Sequence, residues 1–533
     1  MAGAEGAAHR VGLTGRVADV LITDVVLMLG AIAALAMALR SQNRRGAIAL
    51  AFIAALAGSI STYRNSWQAT PAVLAALLIV GIAIMPPYLA TQPLRWLRRT
   101  LSSIVIGLIA ASAALFYFLP IFSLPEPSGP HAVGTRQFEM IDQARQGVME
   151  DTPGTPRRIL VRAWYPASSI EGFSTRPYLT RAEVDDHAID VFKDFGLPYV
   201  MYRHFSLVRT HSYVDAPVNV SDSLPVVVFS HGYWCWPGQN TALMEKLASH
   251  GYLVFSVGHP YDAGTMAFSD GVKIPVSPKK QSAQTPTQGM IKFWTGADHD
   301  TRYAALHQYQ TDFDKHRVMQ SFKAWRDDLR FFVDRLTAHG LPDAMHELQE
   351  VADDQRIGFA GMSFGGTTSA SACHHDPRCK AAVNLDGEEF DWSLYDAPVR
   401  MPLAVLHADW VDYPPFGPTS ADPTFNLLSG YAYESWSTAG DNDNVTRARL
   451  IGARHVGLTD LPLAARGPLK TRLYGKGNSE QMIEATNAFV LGFFDRRLKG
   501  TANAFPSSVL ERYPTALAPH RNIGVREWWT HRS

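Results

Sequence analysis

Residues 356 to 373 read RIGFAGMSFGGTTSASAC: an apolar run, a knot of glycines around Ser363, and a train of small residues suited to the first turns of a helix. A serine on a sharp turn between a buried strand and a helix projects its hydroxyl clear of the backbone, and Gly361, Gly365 and Gly366 let the chain pass close by. A bare G-x-S-x-G match recurs by chance. The strand before it and the helix after it raise Ser363 to a candidate nucleophile.

The flanking sequence repeats the same alternation. RILVRAWYPA (158–167), LPVVVFSHG (224–232), LVFSVGHP (253–260), RIGFAG (356–361), AAVNLD (381–386) and PLAVLHAD (402–409) predict strands. Several have unbroken apolar centres, as befits a mostly parallel central sheet buried on both faces. FKAWRDDLRFFVDRLTAHG (322–340) and EQMIEATNAFVLGFFDRRLKG (480–500) predict helices that flank it, each closing on glycine. The expected fold class is α/β. The stretch 265–315 is polar and reads as irregular, either a lid or substrate-shaping insertion or a plain surface loop.

A serine hydroxyl is a poor nucleophile at neutral pH unless an imidazole takes its proton and a carboxylate fixes the tautomer of that imidazole. In a strand-turn-helix setting of this kind the three follow in the order Ser, acid, His. Among 19 histidines, His455 in RLIGARHVGLTD follows the last expected strand and precedes the C-terminal helix, where the base belongs. His407 sits inside a strand and is expected to pack. Two acids compete, Asp386 ending the strand after the nucleophile helix and Asp409 ending the next one. Attack on a carbonyl also calls for backbone N–H donors aimed at the developing oxyanion. One is expected from Phe364, the second from the turn His231, Gly232, Tyr233, Trp234, which is otherwise an ordinary strand end. Trp234 and Trp236 either line an apolar pocket or simply pack.

Cys373 and Cys379 bracket HHDPR; on an oxidising face they form a small disulfide, and in a reducing one they stay thiols. His374, His375 and Asp376 between them read as a polar helix end rather than a metal site, and Cys235 as a buried thiol. With three cysteines and no C-x-x-C pair, no metal and no cofactor is expected.

The first fifth of the chain is of another kind. Apolar runs at about 17–39, 46–62, 70–92 and 101–123 are each near the ~20 residues that cross a bilayer, and so predict four transmembrane helices in residues 1–123. A buried soluble bundle or, for the first run, a signal peptide are the alternatives. The first run is too long for a signal peptide and is followed directly by Arg40, so it reads as an uncleaved anchor. Arg40, Arg44, Arg45, Arg95, Arg98 and Arg99 fall in the two loops on one side, against Arg10, Arg16 and Arg64 on the other. Since basic loops stay cytoplasmic, the remaining chain is expected outside a cell membrane, the inverse being the alternative. Overall, 47% hydrophobic and 18% charged residues exclude a disordered chain. The 49 basic and 49 acidic side chains leave no field to gather nucleic acid, so none is expected as a partner.

GPHAVGTRQFEMID (129–142), ILVRAWYPA (159–167), LPVVVFSHG, LASHGYLVFSVGHP (247–260) and GMSFGG occur in the order of the plasma-type (group VII) platelet-activating-factor acetylhydrolases, which the chain resembles from about 129 to 500. The resemblance implies an α/β-hydrolase fold that cleaves short sn-2 acyl esters of phospholipids without calcium. It implies a triad of Ser363, Asp386 and His455, favouring Asp386 over Asp409, with Tyr233 and Phe364 supplying the oxyanion N–H groups. The chain departs from that family in Met362, where a His is usual, in Tyr233, where Leu is frequent, and in its four N-terminal helices. The expected organisation is a membrane region (1–123), a catalytic domain (124–500) and a tail (501–533). The expected function is that of a membrane-anchored serine ester hydrolase acting on a lipid or small ester. A broad carboxylesterase or polyester-type hydrolase is the alternative in the same class, and a non-enzymatic membrane sensor the alternative outside it. Oligomeric state, leaving group and acyl length are not legible.

Overall fold

The computed structural model describes residues 21–40, 43–85, 95–146, 154–189, 199–220, 223–277, 286–395, 399–409, 428–434, 444–520 and 523–532. Four apolar helices come first: α1 (Ile22–Arg40), α2 (Arg44–Tyr63), α3 (Thr70–Ile84) and α4 (Arg95–Phe118). A 3-10 turn at Trp67–Ala69 runs straight into α3, and all four spans are long and apolar enough to cross a membrane. Alanines line the seams, Ala31, Ala34 and Ala38 of α1 packing with Ala47, Ala51 and Ala54 of α2 and with Ala72, Ala75 and Ala76 of α3. Small residues let helices approach closely where lipid supplies no hydrophobic drive between them. Leu29, Ile32, Phe52, Ile53, Leu56 and Leu77 point outward, an apolar belt that water would not favour. The fourth expected run overshoots its helix, while residues 86–92 of the third lie outside the described residues. Helix α3 stops two residues before Pro86 and α4 two before Pro120, because proline and the residue ahead of it both resist the helical conformation. Residues 17–20 of the first expected run, with Arg10 and Arg16, lie outside the described residues.

The rest is built on strands β1 (Ala132–Gln146), β2 (Pro156–Ala167), β3 (Thr175–Pro177), β4 (Arg209–Val214), β5 (Leu224–Ser230), β6 (Leu253–Gly258), β7 (Met266–Ala267), β8 (Lys273–Ile274), β9 (Ala352–Met362), β10 (Cys379–Leu385), β11 (Leu403–His407), β12 (Val445–Leu450) and β13 (Leu517–Pro519). Eleven of them form one sheet in the order β13-β12-β11-β10-β9-β5-β6-β2-β1-β4-β3, with β7 and β8 a separate hairpin. From β12 to β6 every neighbouring pair is parallel, so their carboxyl ends share one edge. Antiparallel pairing at β2·β6, β1·β2 and β12·β13 flanks that centre.

Alternation along β5 shows how the sheet is buried twice. Val226 and Val228 join the cluster that holds Leu329, Phe332 and Val333, while Val227 and Phe229 join the opposite one with Leu243, Leu247, Phe489 and Phe493. Successive strand side chains point to opposite faces, so each face is covered by its own helices. These are α5 (Thr241–Ser249), α8 (Arg317–Thr337), α9 (Phe364–His375) and α11 (Ser479–Leu498). The stretch expected to be irregular is largely ordered: after the β7·β8 hairpin it carries α6 (Gln288–Thr295) and α7 (His299–Asp314). Arg302, Ala305, Leu306, Tyr309 and Phe313 of α7 are buried at helical spacing, a pattern that its polar composition hid.

The sheet domain sits against one end of the bundle. In the α2–α3 turn, Asn65 Nδ2 donates to Ser206 Oγ (2.9 Å) and Trp67 Nε1 to His204 Nδ1 (3.2 Å). At the end of α4, Phe118 O accepts from the N–H of Arg466 (3.0 Å), next to α10 (Gly467–Tyr474). At the far end of the bundle, Arg98 donates to the Ala38 carbonyl of α1 (2.8 Å).

Candidate active site

Strand β9 ends at Met362 and α9 begins at Phe364, leaving Ser363 alone on the turn with φ 57° and ψ −123°. Its N–H donates to Leu385 O of the neighbouring strand (2.7 Å), which holds the turn in this uncommon conformation. Close approach explains the glycines. A Cβ on Gly361 would lie 2.1 Å from Gly365 O, and one on Gly365 would lie 2.1 Å from Ser230 O and 2.3 Å from His231 O. The elbow therefore touches the end of β5 backbone to backbone.

Ser363 Oγ lies 2.7 Å from His455 Nε2, and His455 Nδ1 lies 2.6 Å from Asp386 Oδ2. A carboxylate only accepts, so Nδ1 carries the proton and Nε2 is left to accept from the serine hydroxyl. Asp386 is nearly buried and its second oxygen accepts from Ala408 N–H (2.7 Å), leaving a single direction for the first. Asp409 points elsewhere. Its Oδ2 accepts from Gly452 N–H (2.8 Å) and its own N–H donates to Ala453 O (2.8 Å), so it braces the turn leading to His455 without reaching the imidazole. His407 is buried in β11 with its ring 4.3 Å from that of His520.

Residues 232–235 form a tight turn closed by Cys235 N–H to Gly232 O (3.1 Å), with Trp234 at φ 60°. Gly232 N–H donates to Gln239 Oε1 (2.7 Å) and Trp234 N–H to Asp262 O (2.8 Å). Tyr233 N–H and Phe364 N–H, by contrast, have no hydrogen-bond partner among the described residues. The rings of these two residues touch at 4.9 Å, and Trp325 stands 4.9 Å from Phe364. Phe322, Phe390 and the α6–α7 insertion complete that cluster, so the insertion packs over the elbow. Trp234 borders it, 4.8 Å from Tyr233. Trp236 does not belong to it. That indole is 3% exposed, stands edge-on to Tyr178 at 5.7 Å, and sits in a separate cluster with Phe122 and Leu461, where it serves as packing. Cys235 is a buried thiol in the same cluster, its pKa pushed up to about 12 by burial, and Cys373 and Cys379 are disulfide-bonded. Between the two cysteines, His375 turns to Asp391 (2.8 Å) and Asp376 to Arg378 (2.6 Å).

Two acids near the elbow escaped the sequence reading. Asp262 Oδ1 accepts from Tyr233 OH (3.0 Å) and Arg317 (3.1 Å), and its Oδ2 from Trp325 Nε1 (3.2 Å). Its place at the carboxyl end of β6, in GHPYD, was the available signal. Glu389 is fully buried beside α9, accepting from Asp391 N–H (2.7 Å) and Tyr433 OH (2.6 Å). Burial, and next the charge of Asp391, push its carboxyl up to about 8 from the usual 4.5. A raised folded-state pKa favours the protonated form. Its contribution to stability is whole below about 4.5 and is lost as the pH rises through about 8. Glu389→Gln is expected to flatten this fall in denaturant midpoint across that window, and an unchanged slope would show that Glu389 is ionised in the folded protein.

The sequence family described as "Platelet-activating factor acetylhydrolase, isoform II" matches residues 118–406. The platelet-activating factor acetylhydrolase of Gallus gallus is 22% identical over 304 residues, 54% of this chain and 66% of its own length. A "Probable 1-alkyl-2-acetylglycerophosphocholine esterase" of Arthroderma benhamiae is 23% identical over 298 residues, 53% of this chain and 63% of its own. The chain thus spans less than two thirds of the length of these relatives. Among solved structures, the ferulic acid esterase from Streptomyces cinnamoneus superposes with a TM-score of 0.54 at 23% identity, over 75% of this chain and 99% of that one, which establishes an α/β-hydrolase fold. With more than half of its residues matched by the family, the chain belongs to the platelet-activating factor acetylhydrolase isoform II family.

Proposed function

We propose that the protein is a membrane-anchored serine ester hydrolase that removes short or oxidised acyl groups from the sn-2 position of phospholipids through an acyl-enzyme. The observation that carries this reading is the hydrogen-bonded chain from Ser363 Oγ through His455 to Asp386, beside two turns whose Tyr233 and Phe364 N–H groups have no hydrogen-bond partner among the described residues. In the first half-reaction Ser363 Oγ bonds to the acyl carbon while its proton passes to His455 Nε2. The carbonyl oxygen, now an anion, takes hydrogen bonds from Tyr233 N–H and Phe364 N–H. Collapse breaks the ester bond, and His455 returns the proton to the departing lysophospholipid oxygen. In the second half-reaction His455 deprotonates a water that attacks the acyl carbon. The acid leaves and Ser363 regains its hydrogen. Asp386 stabilises the imidazolium that forms in each half.

Three features support placing the domain outside the cytoplasm. The domain docks at the α2–α3 turn and the end of α4, whereas Arg40, Arg44, Arg45, Arg98 and Arg99 lie on helix ends at the other end of the bundle. Basic connections are retained on the cytoplasmic side. The bond between Cys373 and Cys379 suits an oxidising compartment.

Ser363→Ala and His455→Ala are each expected to lower kcat by up to ~10⁶-fold, and Asp386→Asn by about 10⁴-fold, because the three act as a unit. Asp409→Asn is expected to cost far less; if it proves the more damaging carboxylate change, the assignment of the acid is wrong. Bulky rings cluster around Phe364, next to the proposed nucleophile, so kcat/KM is expected to fall steadily from acetyl through butanoyl and hexanoyl to palmitoyl sn-2 esters. Rates rising toward palmitoyl would make it a long-chain lipase, and hydrolysis of nitrophenyl esters alone would make it a general carboxylesterase. For the topology, an impermeant protease added to spheroplasts is expected to digest the chain beyond residue 130; digestion in inverted vesicles alone would reverse the orientation.

A further inference from the structure

An oxyanion donor works only if its N–H is aimed before the reaction begins, and Tyr233 N–H belongs to a turn that could present it in more than one direction. In a planar trans peptide the carbonyl of one residue and the N–H of the next point in opposite directions. Whatever holds Gly232 O therefore also aims Tyr233 N–H.

Two donors hold it. One is Cys235 N–H across the turn (3.1 Å), and the other is the imidazole of His231, whose Nδ1 lies 2.7 Å from Gly232 O. Since a carbonyl only accepts, Nδ1 of His231 carries a proton. At the other ring nitrogen, His259 N–H donates to His231 Nε2 (3.2 Å), so Nε2 carries none. The imidazole is fully buried, which favours the neutral form that these two bonds require. Its surroundings are themselves fixed. His259 Nδ1–H donates to Asp328 (2.9 Å), His259 Nε2 accepts from Ser230 O–H (2.9 Å), and Asp328 is gripped by Arg157 (3.0 and 2.5 Å). Trp325 stacks on His259 at 4.0 Å and stands 4.9 Å from His231. Ser230, His259 and Asp328 repeat the side-chain order of a catalytic triad, but all three are fully buried, so their arrangement orients rather than reacts.

We propose that His231 is a positioning residue of the oxyanion hole: as the neutral Nδ1–H tautomer held by the His259 backbone, it locks the Gly232–Tyr233 peptide so that Tyr233 N–H faces the reacting carbonyl. The inference rests on the reading of Ser363 as the nucleophile, and its test separates the two. Asparagine can place a side-chain N–H where Nδ1 stands, whereas glutamine places its amide where Nε2 stands. In the full-length protein, His231→Gln is expected to lower kcat on an acetyl ester by about 10- to 100-fold with little change in KM, less than the 10²- to 10³-fold of deleting a donor outright. It is expected to weaken a trifluoromethyl ketone, which binds as an oxyanion, by a similar factor. His231→Asn is expected to restore most of both. A His231→Gln protein that matches wild type in kcat and ketone affinity, or an Asn variant as impaired as the Gln one, overturns the proposal. Should the Gln protein fail to fold, long-range ¹H–¹⁵N spectra of wild type, with the His231 signals identified by their loss in the Asn variant, read the tautomer directly. An Nε2–H or doubly protonated ring overturns the proposal as well. If wild-type Ser363 resists a fluorophosphonate, the nucleophile assignment falls; if it is labelled while the His231 variants are normal, only the positioning role falls.

Discussion

Gly365 has the carbonyl oxygens of Ser230 and His231 where a side chain would be, 2.1 and 2.3 Å from an ideal Cβ. The rest of the site depends on this contact, because it brings the Ser363 turn and the turn after β5 into one frame without an intervening side chain. Ser230 pairs with Gly361 in the parallel ladder, so the two strand ends are already level, and the glycine allows the following turns to close on each other. Strain is then distributed around the edge. Ser363, Asp386 and Trp234 take φ of 57°, 56° and 60°, conformations that cost roughly 1–3 kcal/mol each for residues with a side chain. Such turns persist where the surroundings over-determine them, and here the double-faced core and the hydrogen bonds of Ser363 N–H and Trp234 N–H do so.

Four buried acids surround this frame, and their partners separate their roles. Burial alone would raise the Asp328 carboxyl, yet the Arg157 guanidinium and the His259 N–H hold it below the usual carboxylate range, which makes it a fixed charge. Asp262 is bound by Arg317, Tyr233 and Trp325 and braces the turn through its side chain and its backbone carbonyl. Glu389 has no basic hydrogen-bond partner among the described residues, and burial pushes its carboxyl up. Asp386 differs from the others in presenting one oxygen to an imidazole that is itself partly exposed, 27% in its side chain. Under the proposed mechanism this charge responds to a proton moving on His455, and it needs that partner and no guanidinium to compete with it.

The parts legible in the sequence were those written in local pattern. The elbow and the central strands announce themselves through glycines and runs of branched residues, and Ser363 and Phe364 follow from their offsets within those motifs, whereas Tyr233 is singled out within its turn only by the family resemblance. Asp386 and Asp409 end adjacent parallel strands, so no local pattern separates them; in the fold the turn after β12 engages Asp409 through Gly452 N–H and Ala453 O. Trp234 and Trp236 both stand beside the expected oxyanion turn, so the sequence offers them together as lining a pocket or as packing. The turn at positive φ between β5 and α5 parts them, one ring toward Tyr233 and the other toward Tyr178. The supporting acids and His259 come from β6, α8 and the loop after β10, far from the elbow in sequence, and only the sheet order brings them to it.

The place of Trp236 changes how the helical bundle relates to the site. Its cluster begins with Ile121, Phe122 and Leu124, in the segment leaving α4, and passes through Tyr178 and Phe205, whose rings stand edge-on to Phe122 at 5.5 and 5.3 Å. It ends at Cys235 and Trp236, just after the turn that holds Tyr233, and at Val456 and Leu461, just after His455. Interiors of this density transmit displacement rather than absorb it, since a side chain that shifts must move its neighbours. A segment that merely tethered the domain would leave α4 through exposed, polar chain. Leu119 to Phe122 and Leu124 of this one are buried, and their cluster reaches the residues just after Tyr233 and His455, so the seating of the bundle and the alignment of the site share a single apolar core.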